Sequence, residues 1–351
     1  MDCKPSGRFH PAIVELTLAR YREFVRQPEA LFWVFAFPIV LALGLGFAFR
    51  ERGPQPIPVG VIEASGDAEI IEALSAANGL VVTRFRREEG IETLRRGGVV
   101  MLIEPGVDGP RLQYDPTTPE ARSGRMEVTD ALQRAAGRLD PLPITEVTVE
   151  EQGSRYIDFL IPGLLGMNLM GTGLWGVGFS IATARMQNLL KRLSATPMKK
   201  SDYFLSHMLS RLAFLVPEVV LLVAFGWLVF DVGVHGSILL LSLVCLLGAL
   251  TFSGLGILVA SRTKTIEGVS GLMNLVMVPM WIGSGIFFSA ERFPELVQPF
   301  VQALPLTALI DALRGVINHG ASLVEIGGEL AILSVWMTVS FAIALRIFRW
   351  N

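Results

Sequence analysis

The sequence predicts a polytopic α-helical membrane protein of six transmembrane helices, with an α/β extracytoplasmic domain between helices one and two. Three observations carry that expectation. The 351 residues are 51% apolar and only 18% charged, with a mean hydropathy of +0.51, which is outside the range of ordinary soluble domains. Six apolar stretches approach the ~20 residues a helix needs to cross a hydrocarbon core. One long stretch, 50–158, instead alternates short β-branched runs with amphipathic helical patterns.

The six stretches are Leu31 to Phe49, Phe159 to Ala184, Leu212 to Phe230, Ser237 to Ala260, Gly268 to Ser289 and Leu330 to Phe348. An even number puts both termini on one side. Basic residues choose that side: Arg8, Arg20, Arg22 and Arg26 precede the first stretch, and Arg185, Lys191, Arg192, Lys199 and Lys200 separate the second and third. Arg262 and Lys264 separate the fourth and fifth, and Arg346 and Arg349 follow the last. Positive flanks mark the cytoplasm, whereas the turn DVGVH between the third and fourth stretches carries no Lys or Arg. A polar segment precedes the first stretch and no small-residue cleavage pattern follows it, so that stretch is expected to remain as an anchor.

The expected organisation is a cytoplasmic N-terminus with an interfacial elbow helix (1–30), transmembrane helix 1 (31–49) and the extracytoplasmic domain (50–158). Helices 2 to 6 then occupy 159–351, with a cytoplasmic loop at 185–206 and an outer re-entrant segment at 290–327. In the elbow, Val14, Leu18, Tyr21 and Val25 recur at helical spacing among Arg20, Arg22 and Arg26, which suits a helix lying at the inner membrane surface. The 50–158 domain reads as strand, helix, strand, helix, strand, strand and long helix, from IPVGVIE to a helix opening near Pro119. It holds Arg but no Lys, with acidic residues in excess, and long loops are translocated regardless of charge. The 290–327 segment is apolar but broken by Pro294, Pro299 and Pro305, so short helices dipping into the outer leaflet fit it better than a full span.

Enzyme chemistry finds no support. GTGLWG (Gly171 to Gly176) has the spacing of a dinucleotide-binding glycine pattern, yet it sits inside a membrane helix with no preceding strand. A small-residue surface for close helix packing explains it better. The histidines are scattered, the two cysteines stand far apart, and no phosphate-binding loop is present, so no catalytic, metal or cofactor site is expected on this chain. No basic stripe interleaved with exposed aromatics points to nucleic acid. Glu218, after Pro217 in the third stretch, is the costliest intramembrane residue, and Arg211 lies two turns away within reach of a bent helix. Both a place on a translocation path and a structural clamp between helices fit the pair. Asn168 and Asn274 are weaker pathway candidates, since a lone amide in a span also serves as interhelical glue.

Between the second and third stretches, Met186, Leu189, Leu190 and Leu193 recur at helical spacing beside Lys191 and Arg192, and Thr196-Pro197 suits a helix restart with Thr as N-cap. A leucine face in the cytoplasm needs a cover, either a partner or the lipid surface. LLKRLSATPMKKSDYFLSHML resembles the cytoplasmic loop of the membrane subunit of bacterial type-2 ATP-binding-cassette exporters, in which L-x-R-L-x-x-T-P precedes the third span. Phe293-Pro294 followed by LPLTALIDALRG is similar to that family's outer segment, and the order of elbow, span, outer domain and five spans agrees over essentially the whole chain. Members of the family often carry Glu/Arg and Gly-Thr just before the loop motif, where this chain has ARMQN.

The resemblance implies a permease subunit, not an enzyme, in a bacterial inner membrane with both termini cytoplasmic. It pairs with a second permease copy or homologue and with two cytoplasmic ATPase subunits, which carry the ATP and Mg. Leu189, Leu190, Lys191, Arg192, Leu193, Thr196 and Pro197 would then form the ATPase-coupling element, and Pro294, Pro305, Thr307, Asp311 and Arg314 the outer re-entrant motif. The cargo expected is an amphipathic or lipid-like molecule, a drug, lipid or glycan, carried outward. A membrane-anchored sensor or scaffold, using its outer domain to bind a ligand or envelope component, is the alternative.

Overall fold

The computed structural model describes residues 12–49, 56–138, 142, 153 and 155–347, apart from 65, 78, 107–108, 195–199 and 264. It divides into two compact units, one made of residues 1–50 and 150–351, the other of 51–149. The second boundary falls earlier than residue 158. Tyr156 already opens a membrane helix, because Arg155 and Asp158 form a capping box at its start.

In the 51–149 unit a four-stranded sheet has the order β2-β1-β3-β4, with β1 Ile57–Ile62, β2 Leu80–Phe85, β3 Met101–Glu104 and β4 Arg111–Tyr114. β1 pairs in parallel with β2 and β3, and β4 closes antiparallel on β3. Parallel neighbours require crossovers, which helices Asp67–Ser75 and Arg87–Arg95 supply. The alternation of side chains sorts the two faces. Val59, Val61, Met101 and Ile103 pack with Leu74, Val128 and Ala131 beneath helices Asp67–Ser75 and Pro119–Ala135. Gly60 and Leu102 face the other way, toward Gly90 of helix Arg87–Arg95. Before the third helix, the hydroxyl and backbone N–H of Thr117 both donate to Asp115 and hold its carboxyl below the usual range.

The other unit contains six helices long and apolar enough to cross a membrane: Pro28–Ala48, Tyr156–Met186, Tyr203–Phe230, Ile238–Ala260, Ile266–Gly283 and Gly327–Ile347, called spans one to six below. Span two is the axis of this unit. In its apolar window 83% of residues are buried, against 17% in span six, so span two is read as protein-facing and span six as largely lipid-facing. Glycines let it approach span four at backbone distance. A Cβ on Gly256 would stand 2.8 Å from the Gly173 carbonyl oxygen, and one on Gly178 would stand 3.0 Å from the Gly256 oxygen. Gly171 and Gly176 meet nothing within 4 Å, so within GTGLWG only Gly173 of the glycines serves helix contact, in a π-helical turn at Thr172–Gly176.

Five of the six spans differ in extent from the apolar runs by more than one residue, and spans two and six begin three residues early, at Tyr156 and Gly327. Span three belongs to a helix that begins at Lys200, well before Leu212. Ser206, His207, Ser210 and Arg211 interrupt the run in sequence but are buried within the fold, so the 185–206 loop is shorter than expected. Span five ends at Gly283 rather than Ser289, because Ser284 caps it and Gly285 follows with φ +75°, a conformation that costs glycine little. Span one begins three residues early, at Pro28, where Pro suits the first turn. Beyond span five, Pro299 and Pro305 stand in the first turns of helices Gln298–Gln302 and Pro305–His319. The longer of these lays Leu306, Leu309, Ile310, Leu313 and Val316 into the main core beside span two.

Candidate functional site

Three polar constellations are set into the helical unit. The first lies where span two gives way to the basic loop. Asn188 adopts φ +55°, which Asn tolerates through its short polar side chain, and it turns the chain into the short helix Leu189–Ser194. Two adjacent leucines then face opposite ways. Leu190 is 1% exposed, in a cluster with Ile181, Tyr203, Phe204, Ile257 and Ala344 from spans two, three, four and six. Leu189 is 40% exposed and Met186 50%, with Lys191 and Arg192 also exposed. Leu193 lies in the same helix, while Thr196 and Pro197 fall outside the described residues.

The amphipathic helix Ala12–Val25 closes one side of this end. Tyr21 stacks on Phe214 of span three at 4.8 Å. Arg20 donates to Ser180 Oγ of span two at 2.7 Å and lies 5.0 Å from the centre of the Tyr203 ring. A cleft of about 100 Å³ remains between this helix and span two, lined by Leu16, Arg20, Glu23, Ser180, Thr183 and Leu189 among others. The stripe of Val14, Leu18, Tyr21 and Val25 stays between 38% and 46% exposed.

The second constellation is inside the bundle. Arg211 and Glu218 are seven residues apart, hence on one helical face and about 10 Å apart along the axis, and the long arginine covers that rise. Its Nη1 lies 2.7 Å from Glu218 Oε2, with both side chains 6% exposed or less. The Thr172 hydroxyl reaches Glu218 Oε1 at 3.2 Å and donates to the Asn168 carbonyl at 2.8 Å. Asn168 Nδ2 donates in turn to the Val34 carbonyl at 2.9 Å, within the π-helical turn Phe32–Ala36 of span one. Two π turns and one proline, Pro217, thus surround the chain of contacts, and such irregular turns frequently accompany functional sites. Arg211, Glu218 and Asn168 come together. Asn274 does not; it lies on the exposed side of span five.

The third constellation is the outer motif. Arg314 donates to the carbonyls of Gly285 and Phe159, the latter at 3.3 Å, its guanidinium lies 3.5 Å from the centre of the Phe159 ring, and Asp311 stands 3.8 Å away. Pro305 and Thr307 are buried in the first turn of the same helix, while Pro294 is exposed. Asn318 donates to the Asp158 carbonyl at 2.9 Å, and Arg155 reaches the Phe230 and Asp231 carbonyls. Together these contacts tie the ends of spans two, three and five. Among the described residues, no three His, Cys, Asp or Glu side chains gather to hold a metal ion.

A family model described as ABC-2 family transporter protein matches residues 28–346. The chain belongs to the ABC-2 transporter family. It is therefore a multi-pass membrane protein, and its six apolar helices are the spans of an ABC-2 permease domain. The chain is 26% identical to ABC transporter G family member 20 of Dictyostelium discoideum over 64% of its own length and 31% of that protein's. It is 25% identical to the Linearmycin resistance permease protein LnrN of Bacillus subtilis over 50% of this chain and 46% of that one. With the Inner membrane transport permease YadH of Escherichia coli it shares 24% identity over 46% of this chain and 63% of the other. It thus spans from about a third to just under two thirds of the length of these relatives.

Sequence alone does not mark Arg20 and Asn188 as members of the first constellation. Asn188 had a signal, an Asn just past a long helical run, which marks a left-handed helix end. Arg20 reads as a positive flank and a headgroup-facing charge of the elbow helix, because its partners Ser180 and Tyr203 lie far away in sequence.

Proposed function

We propose that this chain is the permease subunit of an ATP-driven exporter, in which separate cytoplasmic ATPase subunits push on helix Leu189–Ser194 and the spans reorient to move cargo outward. The observation that carries the reading is the opposed burial of two neighbouring leucines. Leu190 is seated among four spans while Leu189 and Met186 stay open beside Lys191 and Arg192. A docking helix that must pass on a push needs such a pair, one side chain to meet the partner and one anchored in the moving body.

In this reading, two ATPase subunits carry the ATP and Mg, a second permease copy or homologue completes the membrane part, and both termini face the cytoplasm of a bacterial inner membrane. The 51–149 unit then stands outside the membrane and guides exit, and the 290–327 segment forms a re-entrant structure in the outer leaflet. The exposed stripe of helix Ala12–Val25 faces inner-leaflet lipid. Outward transport draws support from the relative named for linearmycin resistance, and the apolar surfaces of the spans favour an amphipathic or lipid-like cargo. Glu218, Arg211 and Asn168 are assigned to the bundle interior that changes shape during transport.

The test is Leu189→Asp in the assembled transporter. The variant is expected to fold and to retain the spans, while ATPase activity no longer depends on the permease and transport falls to background. Undiminished transport would overturn the assignment.

A further inference from the structure

Arg185, in the last turn of span two, reaches the end of span four. A helix end leaves four carbonyls without intrahelical donors. In span four these are the carbonyls of Ile257, Leu258, Val259 and Ala260, and the chain just beyond serves three of them. Ser261 Oγ donates to Ile257 at 2.6 Å, Ser261 N to Leu258 at 3.2 Å and Thr263 Oγ1 to Val259 at 3.4 Å. Ala260 is served from another helix, by Arg185 Nη1 of span two at 2.8 Å. The same nitrogen donates to the Thr263 carbonyl, and Nη2 reaches the Ser261 carbonyl at 3.1 Å.

One guanidinium thus holds three carbonyls of the span four end and the turn after it. It also places a fixed positive charge where the helix dipole is negative. The planar fork of arginine spreads its donors over several acceptors, which a lysine ammonium does not reproduce. Arg185 stands three residues before Asn188, where the chain turns into helix Leu189–Ser194. Span two and span four already touch at backbone distance through Gly178 and Gly256.

We propose that Arg185 is a positioning residue that locks the start of the 187–199 loop to the turn between spans four and five, so that both loops move as one body and a push on helix Leu189–Ser194 is delivered to spans four and five. The inference rests on the coupling reading for its functional half. Its structural half, the rigid link, stands independently of which protein does the pushing.

The experiment places spin labels at Gln187→Cys and Glu267→Cys, on either side of the clamp, in a Cys3→Ser, Cys245→Ala background of the full transporter complex. The distance distribution is then read with Arg185, Arg185→Lys and Arg185→Gln. Without nucleotide, the parent is expected to give one narrow distribution and Arg185→Gln a broad one, with Arg185→Lys between. On nucleotide binding, cargo moved per ATP should fall about tenfold in Arg185→Gln, within the scale on which coupled sites act, and less in Arg185→Lys. If Arg185→Gln does not assemble, the Arg185→Lys distribution decides alone. Distributions as narrow in the variants as in the parent overturn the link. An Arg185→Gln variant that broadens the distribution yet moves as much cargo per ATP as the parent overturns the coupling half and leaves the link standing.

Discussion

Arg211 and Arg185 are both drawn into the helical unit, yet the protein satisfies them in opposite ways. Arg211 is neutralised inside its own helix, by Glu218 two turns on, so its charge travels with span three. Arg185 hydrogen-bonds to the carbonyls of another helix and of the turn beyond it, so it joins two parts of the chain. In the middle of the bundle a charge is made tolerable by a local partner; at the bundle's end it becomes a strut. A membrane interior penalises an unpaired charge, whereas a helix terminus attracts one.

Breaking the interior pair should have the largest effect. Arg211→Met leaves Glu218 buried without its partner, and losing one member of a buried pair costs about 3–5 kcal/mol. Loss of monodisperse protein in detergent is expected, with substantial recovery in the Arg211→Met, Glu218→Met double variant. Two single variants that each behave like the parent would remove the charge from the account. Next comes the contact that lets spans two and four meet. Gly256→Ala puts a methyl 2.8 Å from a backbone oxygen, and overpacking of this kind costs about 1–3 kcal/mol. A lower unfolding temperature would check it.

A smaller loss sharpens the contrast between local and joining contacts. Asn168→Leu deprives the Val34 carbonyl of its donor, and an interhelical hydrogen bond in a membrane is worth about 0.6–2 kcal/mol. The change should loosen span one, read as faster proteolysis within residues 28–48, without dissociating the bundle. Leu189→Asp should cost the least stability of all, because the side chain already meets water or a partner. Leu190→Ala, by contrast, should cost about 2–5 kcal/mol as a buried truncation. Equal unfolding temperatures for these two variants would erase the distinction between the open and anchored leucines.

The six spans were legible because hydrocarbon thickness fixes a length that the apolar runs display directly. Their ends were less so. The helix reaching back to Lys200 is masked by His207 and Arg211, polar residues that become acceptable only through tertiary burial. The order of strands and helices in the 51–149 unit was readable from alternating and helical periods, while the pairing order β2-β1-β3-β4 was not, since pairing is a non-local choice. Glu218 stood out because a carboxylate in a span is costly, and Arg211 was its nearest cation in sequence. Asn274 shows the limit of that reasoning. Like Asn168 it is an amide in a span, but its face of the helix is exposed, and composition does not say which way a face turns. Arg185 was counted as a topological charge because its acceptors lie 75 to 78 residues away.

The most direct test of the coupling claim is a photo-crosslinking amino acid at position 189 in the native membrane, with a matching one at position 190 as control. The account predicts that irradiation joins position 189 to an ATP-binding-cassette ATPase, identified by mass spectrometry of the adduct, and that position 190 gives only adducts within this chain. Adducts of position 189 confined to lipid or to the chain itself would contradict it, and would make Leu189–Ser194 a helix resting on the membrane surface.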